Sequence, residues 1–282
     1  MEKQKRALAV HDISCVGKCS LTVALPVISA AGIETSVLPT SVLSTHTGGF
    51  EGYTFRDLTD DIQSISDHWE KLGVQFDAIY TGYLGSKEQI QLIAELLGRF
   101  AGPDTLVLVD PVMADNGALY PGFSEDFPNE MAALCKGANI VCPNITEATL
   151  MLREPHTEGP YTEAYIDGLL HRLGAAFDSR IVLTGVSFDP QHLGAASFDP
   201  KTEQTHFAMT ELVPGYYHGT GDVFGSGLLS ALMTGFSLEV AIQVAVDFTV
   251  QSIKLTDTDR EPKYGVRFEA ALPGLMRDLG LI

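Results

Sequence analysis

The stretch Gly219-Thr220-Gly221-Asp222 constrains this chain most, because it is followed by Gly225, Gly227 and the apolar run Leu228-Leu229-Ser230-Ala231-Leu232-Met233. A glycine turn that feeds an apolar helix leaves backbone N–H groups unpaired at the positive end of the helix dipole, which suits a phosphate. Asp222 has two readings at such a place. An acid in the first turn of a helix is commonly a cap. An acid placed just after two glycines, where the backbone approaches a ligand closely, is also positioned to act as a base beside a phosphate cradle. Two better-known phosphate motifs are excluded by spacing. The dinucleotide fingerprint needs its third glycine one residue earlier than Gly225, and the only Gly-Lys pair, Gly17-Lys18, has Asp12 where a P-loop needs glycine.

The rest of the chain alternates between short apolar runs and amphipathic segments. Strands are expected near 7–13, 34–38, 76–80, 105–110, 138–141 and 180–185, with helices near 21–31, 61–72, 87–99, 145–152, 162–173, 223–234 and 238–256. Ser20 is placed to cap the first of these helices and Gly32 to stop it. Strand, loop and helix in repetition imply a mostly parallel sheet. Residues 105–110 are a continuous apolar run, as in a sheet covered on both faces. Residues 194–209 read as an antiparallel hairpin at the sheet edge. Between the strands lie a hydroxyl-rich segment, 41–50, with the character of a binding rim or an ordinary turn, and a polar loop, 113–122. Asp110 falls at a strand's carboxyl end, where open α/β sheets bind ligands. Asn144 and Glu147 are three apart, so they share one side of a helix's first turn, as a capping box or as a water-mediated magnesium contact.

Charge narrows the class of partner. The formal net charge is −18, from 36 acidic against 18 basic residues, with no basic stripe, so nucleic acid and anionic membrane would be repelled and a small molecule is favoured. If that molecule is ATP, such an acidic chain needs magnesium to screen the phosphates. With 282 residues, 45% of them hydrophobic, and no Pro- or Ser-rich linker, one large α/β domain over 1–282 is expected. No apolar run is long enough for a membrane span and the first residues lack a cleavage pattern, which predicts a soluble cytoplasmic protein. Four cysteines without tight spacing argue for free thiols.

Five segments, in order, resemble one kinase family. Gly219-Thr220-Gly221-Asp222 matches the G-T-G-D signature of ribokinase-like kinases. Ser44-Thr45-His46-Thr47-Gly48, Thr81-Gly82-Tyr83-Leu84-Gly85-Ser86, Asp110-Pro111-Val112-Met113 and Cys142-Pro143-Asn144-x-x-Glu147 are similar to motifs of its pyridoxal (vitamin B6) kinase subgroup. The resemblance implies a three-layer α/β/α fold and ATP-dependent phosphorylation of a B6 vitamer's hydroxymethyl group. It makes Asp222 the base, with the Gly219, Thr220 and Gly221 backbone as an anion hole. Asp110, Asn144 and Glu147 would organise magnesium, and Asp115, Tyr120 and Thr184 would lie on the ATP side. Thr47 and Tyr83 would lie on the pyridine side. A monovalent cation such as potassium and a homodimer are implied only by the family.

One departure bears on the substrate. The family usually has I-Q-S-H at the end of the first strand, with the serine on the pyridine ring, whereas Val10-His11-Asp12-Ile13 puts Asp12 at that place. An aspartate there could pair with a protonated ring nitrogen, but in sugar kinases of this fold an acid near this point holds hydroxyls. Phosphorylation of a sugar, nucleoside or hydroxymethylpyrimidine, and B6 binding without catalysis, are the alternatives. Lys18, where asparagine is usual, would either bring charge to the substrate or be solvated. The basic segment 260–267 receives no assignment.

Overall fold

In the computed structural model, which describes residues 4–256 and 262–282, the chain begins with a strand, β1 (Arg6–Val16), and a helix, α1 (Leu21–Ala30). β2 (Glu34–Thr45) lies parallel to β1, and β3 (Phe55–Asp57) returns antiparallel to the far part of β2. The alternation continues with α2 (Thr59–Lys71), β4 (Ala78–Thr81), α3 (Lys87–Phe100) and β5 (Leu106–Val109). A small hairpin of β6 (Ala114–Asp115) and β7 (Ala118–Leu119) precedes α4 (Phe127–Cys135) and β8 (Ile140–Val141). Then come α5 (Ile145–Leu152), α6 (Glu163–Phe177), β9 (Arg180–Asp189), β10 (His192–Asp199) and β11 (Gln204–Glu211). The chain closes with α7 (Thr220–Met233), α8 (Leu238–Lys254), a 3-10 turn (Pro262–Tyr264) and α9 (Phe268–Asp278).

Nine strands form one sheet in the order β11-β10-β9-β8-β5-β4-β1-β2-β3. From β9 to β2 every neighbouring pair is parallel, and the edge pairs are antiparallel. Alternation along β1 builds both cores. Leu8 and Val10 join the cluster that holds α2 to α6, while Ala7 and Ala9 join the cluster that holds α1, α7, α8 and α9. The result is three layers, and it explains why the central strands read as unbroken apolar runs. Parallel strands also bring their carboxyl ends to one edge, so Asp12, Asp110 and Asn144 come from β1, β5 and the end of β8 to the same rim.

The predicted order of elements holds, and so does the edge hairpin, here β10 and β11. Two boundaries change. β1 runs on through Val16 and β2 through Thr45, so 41–45 is strand and not loop. The pairing shifts register between His11 and Ile13, resumes as Ile13 opposite Val42 and Val16 opposite Thr45, and gains β3 on its outer side. Serines and threonines there look like turn formers, but ladder partners on both sides of β2 satisfy its backbone instead. Asp12 sits at the register shift. β3, β6, β7, α4 and α9 are additions that the periodicity does not reveal. Among the described residues no helix is long and apolar enough to cross a membrane.

Candidate active site

The glycine turn builds the centre of the site. Gly219 starts α7 at φ 77°, ψ 4°, and a Cβ there would stand 1.9 Å from the Lys18 carbonyl oxygen, so only glycine fits. The first intrahelical bond runs from Val223 N–H to Gly219 O at 3.1 Å, and no side chain caps this helix. The N–H groups of Thr220, Gly221 and Asp222 are therefore left without an acceptor in the helix, facing the space that an anion would take. Around Gly221 a Cβ would meet nothing within 4 Å.

Asp222 is not the cap of its own helix. Its side chain is 14% exposed, close to the Ser20 backbone at the start of α1. Burial pushes its pKa up to about 7, with nearby Asp12 adding to the rise and the Ser20 N–H opposing it. That is the value a base working near neutrality needs. Beneath it lies His11, wholly buried, its Nδ1 4.0 Å from Asp222 Oδ1 and its ring edge-on to Tyr80 at 4.5 Å between centroids. Burial lowers the His11 pKa to about 3, so the imidazole is neutral.

On one side of Asp222 stands Asp12, 5% exposed, which accepts the Ser14 hydroxyl at 3.0 Å and has the Ser20 hydroxyl nearby. Burial raises its pKa, against the pull of both hydroxyls. Tyr83 belongs to the same pocket: its phenol is pushed up to about 12 by burial and then by Asp12, and its ring packs on Phe123 at 5.6 Å. Thr47 is exposed, on the loop after β2, outside this buried group. That loop is tied down by His46. Its Nδ1 accepts the Gly48 N–H at 3.1 Å, so its Nε2 carries the proton and donates to Lys263 O at 2.6 Å. Lys18 does not reach the pocket; it pairs with Glu269 at 2.6 Å beside Phe268. Of the basic segment, Arg260 and Glu261 lie outside the described residues, and Lys263 stacks over Phe50.

On the other side Asp110 ends β5, buried, and its pKa is driven well above the ordinary carboxylate range by burial, then by Glu147 and Asp222. Asn144 and Glu147 form a complete capping box. Asn144 Oδ1 accepts Glu147 N–H at 2.9 Å, and Glu147 Oε2 accepts Asn144 N–H at 2.9 Å. Asn144 Nδ2 also donates to Ala114 O at 2.8 Å, so both ends of its amide are engaged. Glu147 Oε1 accepts Met113 N–H at 3.1 Å, and burial still lifts its pKa to about 8. Two buried acids, Asp110 raised by the nearby Glu147 charge, fit a divalent ion, although among the described residues no group of three or more His, Cys, Asp or Glu side chains gathers as a metal cluster. A hydrated magnesium, which keeps most of its waters, needs no such cluster.

The predicted nucleotide-side residues follow. Asp115 and Tyr120 lie on and just after the β6–β7 hairpin, where Tyr216 comes near Asp115 and burial raises the Tyr120 phenol, with Glu147 and Asp115 adding. Thr184 bridges to Asn144 and donates N–H to Pro143 O at 2.9 Å. Sequence reasoning missed His11, Ser20 and Tyr216. Ser20 reads as a helix cap, yet it takes a positive φ of 52° and its hydroxyl makes no cap bond in α1. All four cysteines are free.

Sheet order, covered faces and an uncapped glycine turn at the carboxyl edge define a ribokinase-like α/β kinase fold. The chain belongs to the phosphomethylpyrimidine kinase family, whose profile matches residues 26–266. It is similar to the pyridoxine/pyridoxal/pyridoxamine kinase of Bordetella avium, 28% identical over 88% of this chain and 84% of that protein. A candidate phosphomethylpyrimidine kinase of Bacteroides thetaiotaomicron, solved in a crystal form with pyridoxal, is 37% identical over 97% of this chain and 96% of that one, with a TM-score of 0.92. The pyridoxal kinase of Lactobacillus plantarum is 29% identical over 98% of both chains, with a TM-score of 0.89.

Proposed function

We propose that the chain transfers the γ-phosphoryl group of ATP to the hydroxymethyl oxygen of pyridoxal, pyridoxine and pyridoxamine. The observation that carries this reading is Asp222, raised to about 7 and placed beside three N–H groups with no helical acceptor. Asp222 takes the hydroxymethyl proton as that oxygen bonds to the γ-phosphorus and the bond to ADP breaks. The N–H groups of Thr220, Gly221 and Asp222, in the turn that Gly219 opens, hold the charge on the moving phosphoryl, so catalysis is positioning plus electrostatics. Asp12, Thr47 and Tyr83 form the vitamer side. Asp115, Tyr120 and Thr184 form the nucleotide side. Magnesium, when bound, screens the phosphate charge; Asp110 and Glu147 hold it through their carboxylates, and Asn144 serves by fixing Glu147. The names of the similar proteins support the vitamer as acceptor.

The family description favours a second acceptor, a hydroxymethylpyrimidine, which also carries a primary alcohol on a nitrogen heterocycle. The test is ATP consumption with the purified chain, magnesium and a panel of the three vitamers, hydroxymethylpyrimidine, a sugar and a nucleoside. Vitamer-dependent ADP release with formation of the 5'-phosphate is the expected result. Turnover on a sugar or nucleoside alone would overturn the assignment.

A further inference from the structure

Along β1 the alternation that sends Ala7 and Ala9 into the layer of α1, α7, α8 and α9 brings His11 to that same face. The imidazole arrives beneath the first turn of α7, with Nδ1 4.0 Å from Oδ1 of Asp222. It is wholly buried, and neither ring nitrogen has a hydrogen-bond partner. An unpaired polar group in the core costs stability, so a histidine retained there calls for a use. The chain also makes room for it: a Cβ on Gly82 would stand 2.3 Å from Nδ1 and 2.5 Å from Cε1, and Tyr80 meets the ring edge-on at 4.5 Å between centroids. The Nδ1 edge thus lies between the Gly82 backbone and the Asp222 carboxylate. Among the described residues Asp222 offers the only carboxylate within 4.0 Å of it.

We propose that His11 is a positioning residue for the base: its Nδ1–H closes the remaining gap to Oδ1 of Asp222 when the reaction partners are bound, and so turns the second carboxylate oxygen toward the alcohol. Catalytic hydrogen bonds are commonly long in the free protein and tighten in the complex. A bond from N–H to a carboxylate is about 2.8 Å long, so roughly 1.2 Å of side-chain movement makes it from the 4.0 Å seen here. A neutral imidazole suits the task, because it donates from Nδ1 without bringing a second buried charge. Its proton stays on nitrogen throughout, and the proton of the alcohol goes to the other oxygen of Asp222. The inference rests on Asp222 being the base named above.

Nitrogen-15 spectra of the imidazole, recorded near pH 8 without any substrate, show which ring nitrogen carries the proton. In the wild type it should sit on Nδ1, and Asp222→Ala should weaken that preference, because the carboxylate that attracts it is gone. A proton on Nε2 in the wild type, or the same Nδ1 preference without the carboxylate, would overturn the proposal. Turnover reads the consequence. His11→Leu replaces an unpaired polar ring with an apolar side chain of similar size, so it should melt as high as the wild type or higher. Its kcat should fall roughly 10- to 10²-fold, the loss expected for one hydrogen bond to a charged group, with KM for the alcohol and for ATP within about twofold. His11→Asn carries an N–H the same number of bonds from the backbone as Nδ1 and should recover most of the loss. A folded His11→Leu enzyme with full kcat, or a His11→Asn enzyme no faster than His11→Leu, would sink the idea. A wild type that phosphorylates no vitamer overturns the functional reading instead, and the imidazole spectra still decide whether His11 points its proton at Asp222.

Discussion

Nδ1 of His11 stands 4.0 Å from Oδ1 of Asp222, and neither ring nitrogen of this wholly buried histidine has a hydrogen-bond partner. An imidazole with a pKa near 3 carries no charge at working pH, so it does nothing to offset the burial that raises Asp222 to about 7. The base is thus half protonated near neutrality in the free protein. Measured against pH, kcat/KM for the alcohol should rise through about pH 7 and level above it. Asp222→Asn should lose at least about 10²-fold in kcat and the rise with it. Near-normal turnover in that variant would remove Asp222 from the role of base.

Stability should move the opposite way. A carboxyl whose folded pKa lies above its unfolded value near 3.8 holds a proton that the unfolded chain has already lost, so the native state loses stability as pH rises between those values. At 1.36 kcal/mol per unit the effect has an upper bound of about 4 kcal/mol. Asp222→Asn should therefore melt higher than the wild type at pH 8 and match it near pH 4. Equal melting temperatures across that range would show that the charge of Asp222 is not buried at a cost.

Much of this was legible in the sequence, for identifiable reasons. Strand and helix order follows from apolar period, and Gly219, Gly221 and Asp222 announce themselves because few other uses of that spacing exist. Asn144 and Glu147 were legible only as a choice, and the capping box settles the local geometry. His11 was hidden inside an apolar strand, where a single polar residue gives no sign of what lies across from it. Ser20 misled for a physical reason: serine before a helix normally caps it from an extended backbone, whereas residue 20 here takes a positive φ that turns its hydroxyl away from the helix. The extension of β1 and β2 was hidden because hydroxyl-rich composition favours turns until a third strand completes the ladder.

Gly219 and Gly221, two residues apart, should respond differently to the same substitution. Gly219→Ala forces a Cβ onto the Lys18 carbonyl at 1.9 Å and a side chain onto φ 77°, so stability should fall by about 1–3 kcal/mol and turnover with it. Gly221 lies inside α7 with open space where its Cβ would go, so Gly221→Ala should melt at the same temperature or higher, by up to about 1 kcal/mol of helix propensity. That open space is the phosphate's, so kcat should drop all the same. Thermal melts beside steady-state rates check the pair, and a Gly221→Ala enzyme with full activity would move the anion site elsewhere.

The last prediction concerns Asp110 and Glu147, both raised by burial, Asp110 also by the Glu147 charge and Glu147 to about 8 with Asp115 adding. A divalent ion would relieve that repulsion, so the apparent magnesium requirement reports on Glu147 independently of the base. Glu147→Gln removes the charge but turns one acceptor oxygen into a donor facing the N–H of either Met113 or Asn144. One hydrogen bond is weakened, by up to about 1 kcal/mol, since the protonated wild-type carboxyl already carries one hydroxyl oxygen there. The relief of a buried charge appears only as pH rises from near 4.5 toward 8. The variant should accordingly be less stable than the wild type at pH 4 and gain on it as pH rises, while its half-saturating magnesium concentration climbs several-fold. Asn144→Ala separates the two effects. It deletes the Asn144 side-chain cap and its bond to Ala114 O, at about 0.5–2 kcal/mol at every pH, and leaves the Glu147 carboxyl titratable, still accepting the N–H groups of residues 113 and 144. Its magnesium requirement should also rise, without the gain in stability at high pH. If magnesium half-saturation were unchanged in both variants, the ion would have to be held by other residues and the Asn144–Glu147 pair would be a helix cap alone.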